Sequence, residues 1–379
     1  MSVEFRDSPR HTLGVEWEFG LVDTGTRNLV NSAELVRSAF HGAHPDHADR
    51  LHRELLRNTV EVVSGVCEDV PAVIEDLRDM VDRVREVTAS QGLALYCAGT
   101  HPFATWSAEA LTPSPRYQEL IARTQWWGRQ MLIWGVHVHV GVKRHHVMPV
   151  ISSLLTWFPH LQALSASSPV WAGTDTGYAS NRAMMFQQLP TAGLPFQLED
   201  WEAYERFVAD HQTTGIIDSV NEIRWDIRPA PHHGTVEVRV MDGISTWWEM
   251  RAVVALIHCL VVDICERVDA GEALDELPPW FVQENKWRAA RYGLDAWVIT
   301  GSDASERLVK DDLPDLVARL MPLAERLGCA DDLRLVHLIP AIGASYQRQR
   351  EVADAHGGDL LAVVDAVVAG LDEPTPPHP

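Results

Sequence analysis

The stretch GVEWEFG, Gly14–Gly20, alternates apolar and acidic side chains residue by residue. In a β-strand successive side chains point to opposite faces, so the apolar residues would share one face, with Glu16 and Glu18 on the other. A strand of this kind buries its apolar face against a core. The stretch therefore predicts a strand that presents two carboxylates together on its other face.

Three other stretches follow the same alternation, namely NTVEVVS (58–64), GVHVHVGV (135–142) and TVEVRVMD (235–242). Each has valines on one face and polar side chains on the other. The polar side chains are Thr59, Glu61, His137, His139, Glu237 and Arg239. We therefore predict four strands, over Leu13–Val22, Asn58–Val63, Gly135–Val142 and Thr235–Met241.

The four polar faces differ in composition from an ordinary solvated face, although a solvated strand stays an open interpretation for each one alone. Together they hold four glutamates, two histidines and one arginine, without a lysine. Carboxylates packed on one sheet repel each other unless a cation neutralises them. Oxygen-rich donor sets without cysteine suit Mg²⁺ or Mn²⁺ better than Zn²⁺, and several carboxylates indicate two or more ions.

The His-Val-His motif at 137–139 allows two other interpretations. Two imidazoles on one strand face also occur in zinc-dependent hydrolase sites. Those sites lie in barrels of repeated βα units, and the chain lacks eight such repeats. His137 and His139 could also be ordinary core histidines.

Three arginines are candidates for binding phosphate. Arg239 lies on the acidic face beside Glu237, where its planar fork could bind a transferring phosphoryl group. Arg228 in WDIRP and Arg182 in SNRAMMF are further candidates, and each of the three could instead form a surface or structural salt bridge. The sequence has no Walker A motif and no GxGxxG, so any ATP site is neither of the P-loop nor of the Rossmann type.

Composition limits the class of protein. The chain has 379 residues, of which 46% are hydrophobic and 22% charged, which is typical of globular proteins. A net charge of −21 provides no basic face for a nucleic acid. Five cysteines without a CxxC pair, and an N-terminus without an apolar signal core, predict reduced thiols and a cytoplasmic location. The acidic charge and the 14 tryptophans permit a homodimer without requiring one.

The helical pattern is clearest from Asp69 to Gln91, where Asp69 can cap the helix, Pro71 lies in the first turn and Gly92 can end it. Further helices are predicted at Val147–Leu164, Leu198–Thr213, Thr246–Val268, Phe281–Tyr292 and from Leu308 onward. The apolar run Ala252–Cys265 is too short to span a bilayer, so it predicts a buried helix and no membrane insertion.

The chain shows no linker that would separate two domains. We predict a single catalytic α+β domain over residues 1–371, all-helical from about residue 300, and a disordered tail over 372–379. The stretch 173–193 is rich in Gly, Ser, Thr and Pro and predicts a long polar loop.

The ordered set of motifs resembles the glutamate–cysteine ligase type 2 family of carboxylate–amine ligases, which belongs to the glutamine synthetase-like superfamily. The matching pieces, spread over residues 12 to about 297, are GVEWEFGLVD, RNTVEVVSG, GTHPFATW, RYQEL, GVHVHVGV, SNRAMMF, WDIRPAPHHGTVEVRVMD and ENKWRAARYGLDA. The resemblance implies a glutamine synthetase/guanido kinase-like fold. In it a curled antiparallel sheet has helices packed on one face and an acidic funnel on the other.

The resemblance also implies a reaction. Family members use ATP and Mg²⁺ to convert the γ-carboxylate of L-glutamate into γ-glutamyl phosphate, which the amine of L-cysteine then attacks. ATP, L-glutamate and a cysteine-like amine are thus the implied partners. A ligase with a different amine or acid, a zinc-dependent hydrolase built on the His-Val-His motif, and a non-catalytic metal or metabolite sensor stay open as alternatives.

Site residues are implied by the same motifs. The implied metal ligands are Glu16, Glu18, Glu61, His137 and Glu237. His137 fits the family's metal histidine better than His139 does. Arg239 resembles the phosphate-stabilising catalytic arginine, and Arg228 a second catalytic or substrate contact. The implied substrate or nucleotide contacts are His139, Arg182, Arg228, Asn285 and Arg288, with Arg291 at the same helical spacing.

Overall fold

The computed structural model of the protein describes residues 3–108, 110–373 and 375–376. The strands are β1 (Leu13–Asp23), β2 (Leu51–Arg53), β3 (Thr59–Val63), β4 (Leu93–Tyr96), β5 (Gly135–Gly141), β6 (Val170–Trp171), β7 (Thr174–Asp175), β8 (Ala192–Gly193), β9 (Arg224–Trp225), β10 (Ile227–Ala230), β11 (Thr235–Asp242), β12 (Trp297–Ile299) and β13 (Glu306–Leu308). The α-helices are α1 (Ala33–Ala43), α2 (Val70–Ala89), α3 (Pro115–Thr124), α4 (Trp126–Arg129), α5 (Val147–Ser165), α6 (Asn181–Phe186), α7 (Trp201–Thr213), α8 (Trp247–Asp269), α9 (Pro279–Tyr292), α10 (Val309–Arg326), α11 (Ala330–Arg334), α12 (Leu338–Ile342), α13 (Ser345–Ala355) and α14 (Leu360–Ala369).

Strand β1 is the centre of a seven-stranded antiparallel sheet. It pairs with β5 through residues 13–17, with β3 through 16–20 and with β4 through 20–23. The sheet continues from β5 to β11 and β10, and from β3 to β2, giving the order β10-β11-β5-β1-β3-β2. The sheet is open, with β10 and β2 at its ends, and the four strands predicted from the alternating pattern are all present.

One face of the sheet packs on helices. The buried residues of that face include Val15, Trp17, Val60, Val62, Val136, Val138, Val236 and Val238. They join one core with α2, α5 and α8. Because each fully buried side chain of this size contributes about 1.5–3 kcal/mol, this face fixes which side of every strand is left for the polar residues. The predicted architecture, with helices on one face and acidic side chains on the other, is confirmed.

Helices α2 and α8 form as their sequences predict. The Asp69 carboxylate accepts a hydrogen bond from the Ala72 backbone N–H, and α2 ends before Gly92, whose φ is +71°. The apolar stripe of α2 is buried against the sheet. Helix α8 is buried on nearly all sides, as the apolar run Ala252–Cys265 predicts. No helix in the described part of the chain combines the length and the apolarity needed to cross a bilayer.

Three local predictions differ from the structure. The C-terminal part is not all-helical, because β12 and β13 form a hairpin whose turn contains Ala304 at φ +64°. The stretch 173–193 is not a plain loop but contains α6, capped by Ser180. Asp372 ends a short 3₁₀ turn and pairs with Arg85. Of the predicted disordered tail, residues 374 and 377–379 lie outside the described residues.

Candidate active site

The strand register brings the polar side chains of β1, β3 and β5 together on one face. Glu16 lies opposite His137, and Glu18 lies opposite Glu61. The backbone N–H of Gly135 donates a hydrogen bond of 2.6 Å to Glu18 Oε2, which fixes that carboxylate between two strands. These four side chains therefore come from adjacent positions of a continuous sheet rather than from loops.

Strand β11 adds Glu237 to the same face, opposite His139 on β5 and Arg228 on β10. Its register with β5 shifts between Val238 and Met241, which is a β-bulge. The backbone N–H of Arg239 donates to Asp226 O at 2.7 Å, which continues the pairing of β11 with β10 by one residue beyond Ile227. Bulges re-aim side chains, and here the Arg239 guanidinium reaches the Glu237 carboxylate.

Glu16, Glu18, Glu61, His137 and Arg239 of the polar face form the floor of a cavity of about 240 Å³, whereas Glu237 and the predicted substrate contact His139 do not line it. The polar side chains that line it from outside the four predicted strands are Glu54, Arg116, Tyr117, Arg182, Asn221, Arg224 and Arg228. An adjoining cavity of about 440 Å³ shares Arg116, Leu120, Asn221 and Arg224 with it. The two cavities therefore adjoin at these four residues, and only the smaller one is lined by the glutamates of the floor.

Glu18, Glu54 and Glu61 form the carboxylate triad. One carboxylate oxygen from each residue lies within 4.8 Å of those from the other two. Burial, together with the neighbouring carboxylates, raises the pKa of both Glu54 and Glu61 well above its usual range. Three carboxylates this close need a cation to remain ionised together. An all-oxygen donor set is what Mg²⁺ and Mn²⁺ prefer, so the triad fits such an ion.

Glu54 is missed by the sequence reasoning. It follows β2 in the connection to β3, where the stretch HRELLRN shows no alternation. Only the pairing of β2 with β3, in which His52 lies opposite Glu61, brings this connection to the floor of the cavity. A lone glutamate before a strand carries no signal of its own.

Glu16, His137 and Glu237 form the histidine–glutamate group, whose three donor atoms also lie within 4.8 Å of one another. His137 Nδ1 lies 2.9 Å from Glu16 Oε2, and His139 Nε2 lies 3.3 Å from Glu16 Oε1. Burial opposes ionisation of Glu16, but the hydrogen bonds to the two histidines hold its pKa well below its usual range. Because only His137 belongs to the group, the His-Val-His motif does not form a two-histidine metal site among the described residues.

Two arginines hold Glu237. Arg228 donates from Nε to Oε2 at 2.6 Å and from Nη2 to Oε1 at 3.3 Å, and Arg239 donates to Oε1. Burial opposes the charge on Glu237, yet Arg228 and Arg239 hold its pKa well below its usual range. The structure therefore gives Arg228 a definite partner, and Glu237 ties two cationic side chains to the acidic floor.

Arg116, Arg182 and Arg224 form the arginine rim, and none of them pairs with a carboxylate among residues 3–108, 110–373 and 375–376. Arg182 is buried, its Nε has no hydrogen-bond partner, and its Nη1 donates to Arg239 O at 3.3 Å. Burial lowers the pKa of Arg182, and it lowers that of Arg224 to about 10. Arg116 is exposed, and Arg224 donates to the carbonyls of Pro190 and Glu222. Guanidinium groups that face a cavity without a carboxylate partner are suited to bind an anion.

Arg182 is held in place by the end of β11. Asp242 accepts hydrogen bonds from Ser168 Oγ at 2.6 Å and from Ser180 Oγ at 2.8 Å, and Ser180 caps α6. The guanidinium lies over Gly135, where an added Cβ would come within 2.3 Å of Nη2. Glycine is thus the residue that lets Arg182 reach the cavity.

The structure does not bring Asn285 or Arg288 to the cavity. Asn285 is buried and exchanges two hydrogen bonds of 2.8 Å with the backbone of Ile299. Arg288 pairs with Glu284 and Glu306. Their helical spacing reflects support of the β12–β13 hairpin, and Arg291 likewise donates to a backbone carbonyl, that of Gly177. Arg116, Tyr117 and Arg224 line the cavity although no pattern in the sequence singles them out.

Comparison with known proteins gives a consistent result. The family model of glutamate–cysteine ligase family 2 matches residues 12–366. A Mycobacterium ulcerans protein, provisionally named glutamate–cysteine ligase 2, is 62% identical over 371 residues, covering 98% of this chain and 93% of its own length. A Mycobacterium sp. strain JLS protein with a similar provisional name is 63% identical over 371 residues, covering 98% of this chain and 97% of its own.

Solved structures share the fold at low sequence identity. Glutamate–cysteine ligase from Francisella tularensis, in complex with AMP, has a TM-score of 0.71 at 14% identity, covering 96% of this chain and 89% of its own. A bifunctional glutathione synthetase from Pasteurella multocida has a TM-score of 0.68 at 13% identity, covering 95% of this chain and 52% of its own. With the family match along nearly the whole chain, these findings confirm the resemblance. The chain belongs to glutamate–cysteine ligase family 2 and is an ATP-dependent carboxylate–amine ligase, which forms a carbon–nitrogen bond.

Proposed function

We propose that the protein joins the γ-carboxylate of L-glutamate to the amine of L-cysteine at the expense of ATP. A carboxylate oxygen of glutamate attacks the terminal phosphorus of ATP, which releases ADP and leaves γ-glutamyl phosphate. The amine nitrogen then attacks the acyl carbon, phosphate leaves, and the nitrogen loses a proton. The observation that carries this proposal is the facing of the carboxylate triad and the arginine rim across one cavity.

Two cation positions are proposed on the floor of the cavity. The carboxylate triad would hold one Mg²⁺ or Mn²⁺ ion, and the histidine–glutamate group would hold a second. Their donor sets support this, because five glutamates and one histidine supply oxygen and imidazole ligands without a thiolate. Bound there, the ions would offset charge on the phosphate and carboxylate oxygens of the substrates.

The arginines have separate tasks in this proposal. Arg239 is partly buried beside Glu237, its Nη1 lies 3.3 Å from His137 Nδ1, and its Nε has no partner among the described residues. We assign it to the transferred phosphoryl group, whose charge a planar fork can bind at two oxygens. Arg182, which donates to the Arg239 carbonyl, would bind the same phosphate or the nucleotide. Arg228 would keep Glu237 ionised and oriented.

An acyl phosphate must be protected from water until the amine arrives. One wall of the cavity is apolar, formed by Leu55, Met131, Ile133, Phe186 and Leu189. Phe186 also lies under both guanidinium groups, 5.6 Å from Arg182 and 6.0 Å from Arg239. This wall limits the access of water to the reacting atoms. The adjoining cavity beyond Arg116 and Arg224 offers the amine substrate a separate entrance.

The assay is ADP release by the purified protein with Mg²⁺ and ATP, first with glutamate and then with each of a panel of amines. Products are identified by mass spectrometry. Glutamate-dependent ADP release that rises with cysteine and yields γ-glutamylcysteine supports the proposal. Release that rises instead with another amine, or another acid, retains the mechanism and changes the substrate.

All five cysteines are free thiols, which supports a reducing compartment such as the cytoplasm.

A further inference from the structure

A second cluster of metal-binding side chains lies outside the catalytic cavity. His145 and His146 belong to the 3₁₀ turn Arg144–His146 between β5 and α5, and Asp269 is the last residue of α8. None of the three lines the cavity over the acidic floor. The cluster therefore joins two elements of the helical layer, and nothing in the proposed reaction uses it.

The three side chains converge on one point. Nε2 of His145 lies 3.1 Å from Asp269 Oδ1, and Nε2 of His146 lies 2.8 Å from the same oxygen. One atom from each residue lies within 4.8 Å of the other two. In a tetrahedral zinc site with bonds of about 2.1 Å, neighbouring donor atoms are about 3.4 Å apart. A shift of a few tenths of an ångström would therefore admit an ion.

Exposure differs among the three residues in a way that suits an ion. The His146 side chain is 2% exposed, so its ring is fixed by packing, while His145 and Asp269 are 57% and 51% exposed. The exposed side chains of His145 and Asp269 can move apart by the few tenths of an ångström that an ion requires. Water can complete the coordination from the solvent side.

The donor set selects the class of metal. Two imidazole nitrogens and one carboxylate oxygen are ligands typical of zinc with a position left for water. Mg²⁺ prefers oxygen ligands and keeps its waters, so it competes poorly for such a set. The carboxylate triad of the catalytic cavity has the opposite preference. The triad and the cluster should therefore be distinguishable by metal, while substitution of the cluster's own ligands distinguishes it from the histidine–glutamate group, which has a single imidazole.

We propose that His145, His146 and Asp269 form a zinc-binding site that joins the end of α8 to the turn before α5. Zn²⁺ held there would stabilise the folded state, because the unfolded chain does not bring the turn and the helix end together. The proposal is independent of which acid or amine the enzyme uses.

The test is an equilibrium titration of metal-free protein with Zn²⁺ against a chromophoric zinc indicator, in excess Mg²⁺ to occupy the catalytic carboxylates. His145→Ala and Asp269→Asn remove one ligand each at exposed positions, so neither threatens the core. His337→Ala, at an exposed histidine in the turn before α12, is the matched control. Thermal unfolding with and without Zn²⁺ is measured on the same four proteins.

We expect the wild-type chain and His337→Ala to bind one Zn²⁺ that Mg²⁺ does not displace, and to unfold at a higher temperature with Zn²⁺. Loss of a direct ligand should lower the affinity for Zn²⁺ by about tenfold or more. Both cluster variants should therefore lose the bound Zn²⁺ and the rise in unfolding temperature that it causes. The proposal is overturned if the wild type binds no zinc in excess Mg²⁺, or if both variants bind it as tightly as the wild type does.

Discussion

Glu18 on β1 and Glu61 on β3 lie directly opposite each other in the strand register, so two carboxylates face one another on the floor of a buried cavity. Glu54 approaches the same point from the β2–β3 connection. Like charges in this arrangement destabilise the metal-free fold. Repulsion among the three carboxylates therefore lowers the stability of the metal-free protein, and a bound cation can offset that repulsion.

Glu61→Gln should separate folding from turnover. Removing one charge of the carboxylate triad relieves repulsion, so the metal-free variant should unfold at a temperature equal to or above that of the wild type. Ligase turnover should fall by at least about a hundredfold, since a cation ligand is lost. Glu68→Gln, at an exposed surface pair with Arg10, is the control and should change neither quantity. Normal turnover in Glu61→Gln would show that the triad holds no catalytic ion.

Stability of the metal-free protein should depend on pH with a defined sign. Folding raises the pKa of Glu54 and Glu61 above the ordinary value of 4.5, so the folded state binds these protons more tightly than the unfolded state. Their contribution to stability is present below that value and is lost as the pH rises through the folded pKa. Unfolding temperatures in chelator should therefore fall as the pH rises above 4.5. With saturating Mg²⁺ the decline should be smaller, and an identical decline would contradict a cation at the triad.

Arg239→Lys should retain the positive charge beside Glu237 but lose the planar fork. Turnover should drop by about a hundredfold or more, while circular dichroism and the unfolding temperature stay close to those of the wild type. Arg288→Lys is the matched control, because Arg288 pairs with Glu284 and Glu306 away from the cavity. Equal effects of the two substitutions on turnover would remove Arg239 from the phosphoryl site.

Gly135→Ala should displace the side chain of Arg182, the proposed phosphate or nucleotide contact, without changing its chemistry. The new Cβ would meet Arg182 Nη2 at 2.3 Å, so the guanidinium must leave its place over the strand. A displacement of about 1 Å in a substrate-positioning group can lower turnover about a hundredfold. Gly14→Ala on β1 is the control, since its nearest neighbour would be His139 Cβ at an ordinary 3.8 Å. Steady-state kinetics on both variants checks the expectation.

Asn285→Ala should lower stability rather than catalysis. The Asn285 amide satisfies both the N–H and the carbonyl of Ile299, and each buried polar group left without a partner costs about 1–3 kcal/mol. Urea unfolding should therefore show a clear loss of stability. Turnover per folded molecule should match that of the wild type. A selective rise in the KM for a substrate would instead return Asn285 to the binding site.

Alternation in the sequence predicted most of the sheet and much of its chemistry. Glu16, Glu18, Glu61, His137 and Glu237 lie on one face because the period of a strand is two, and their valine neighbours fix which face is buried. Motif resemblance supplied the curled antiparallel sheet with helices on one face, and the order of the strands came from the structure. Both kinds of information are local, so both work where a strand carries its own pattern.

Residues that reach the cavity from irregular segments could not be predicted in this way. Glu54, Arg116 and Arg224 are placed by how the β2–β3 connection, α3 and the two-residue strand β9 pack around the cavity, which is a long-range property. The bulge that aims Arg239 depends on the pairing of β11 with β5 rather than on any glycine or proline in β11. Asn285 and Arg288 were predicted to contact substrate but do not line the cavity. Helical spacing cannot distinguish a helix face that supports a hairpin from one that lines a site.

Strand β1 also sets the distance between the carboxylate triad and the histidine–glutamate group. It supplies Glu18 to the carboxylate triad and Glu16 to the histidine–glutamate group, two residues apart along an extended backbone, a spacing of roughly 7 Å. Covalent geometry, rather than an adjustable loop, therefore sets the separation of the two groups. The residues that line the adjoining cavity, where we propose that the amine enters, belong mainly to α3 and to the segment before β10. In the proposed reaction, substitutions in the adjoining cavity could therefore change which amine is preferred. The distance between the two cation positions would stay the same.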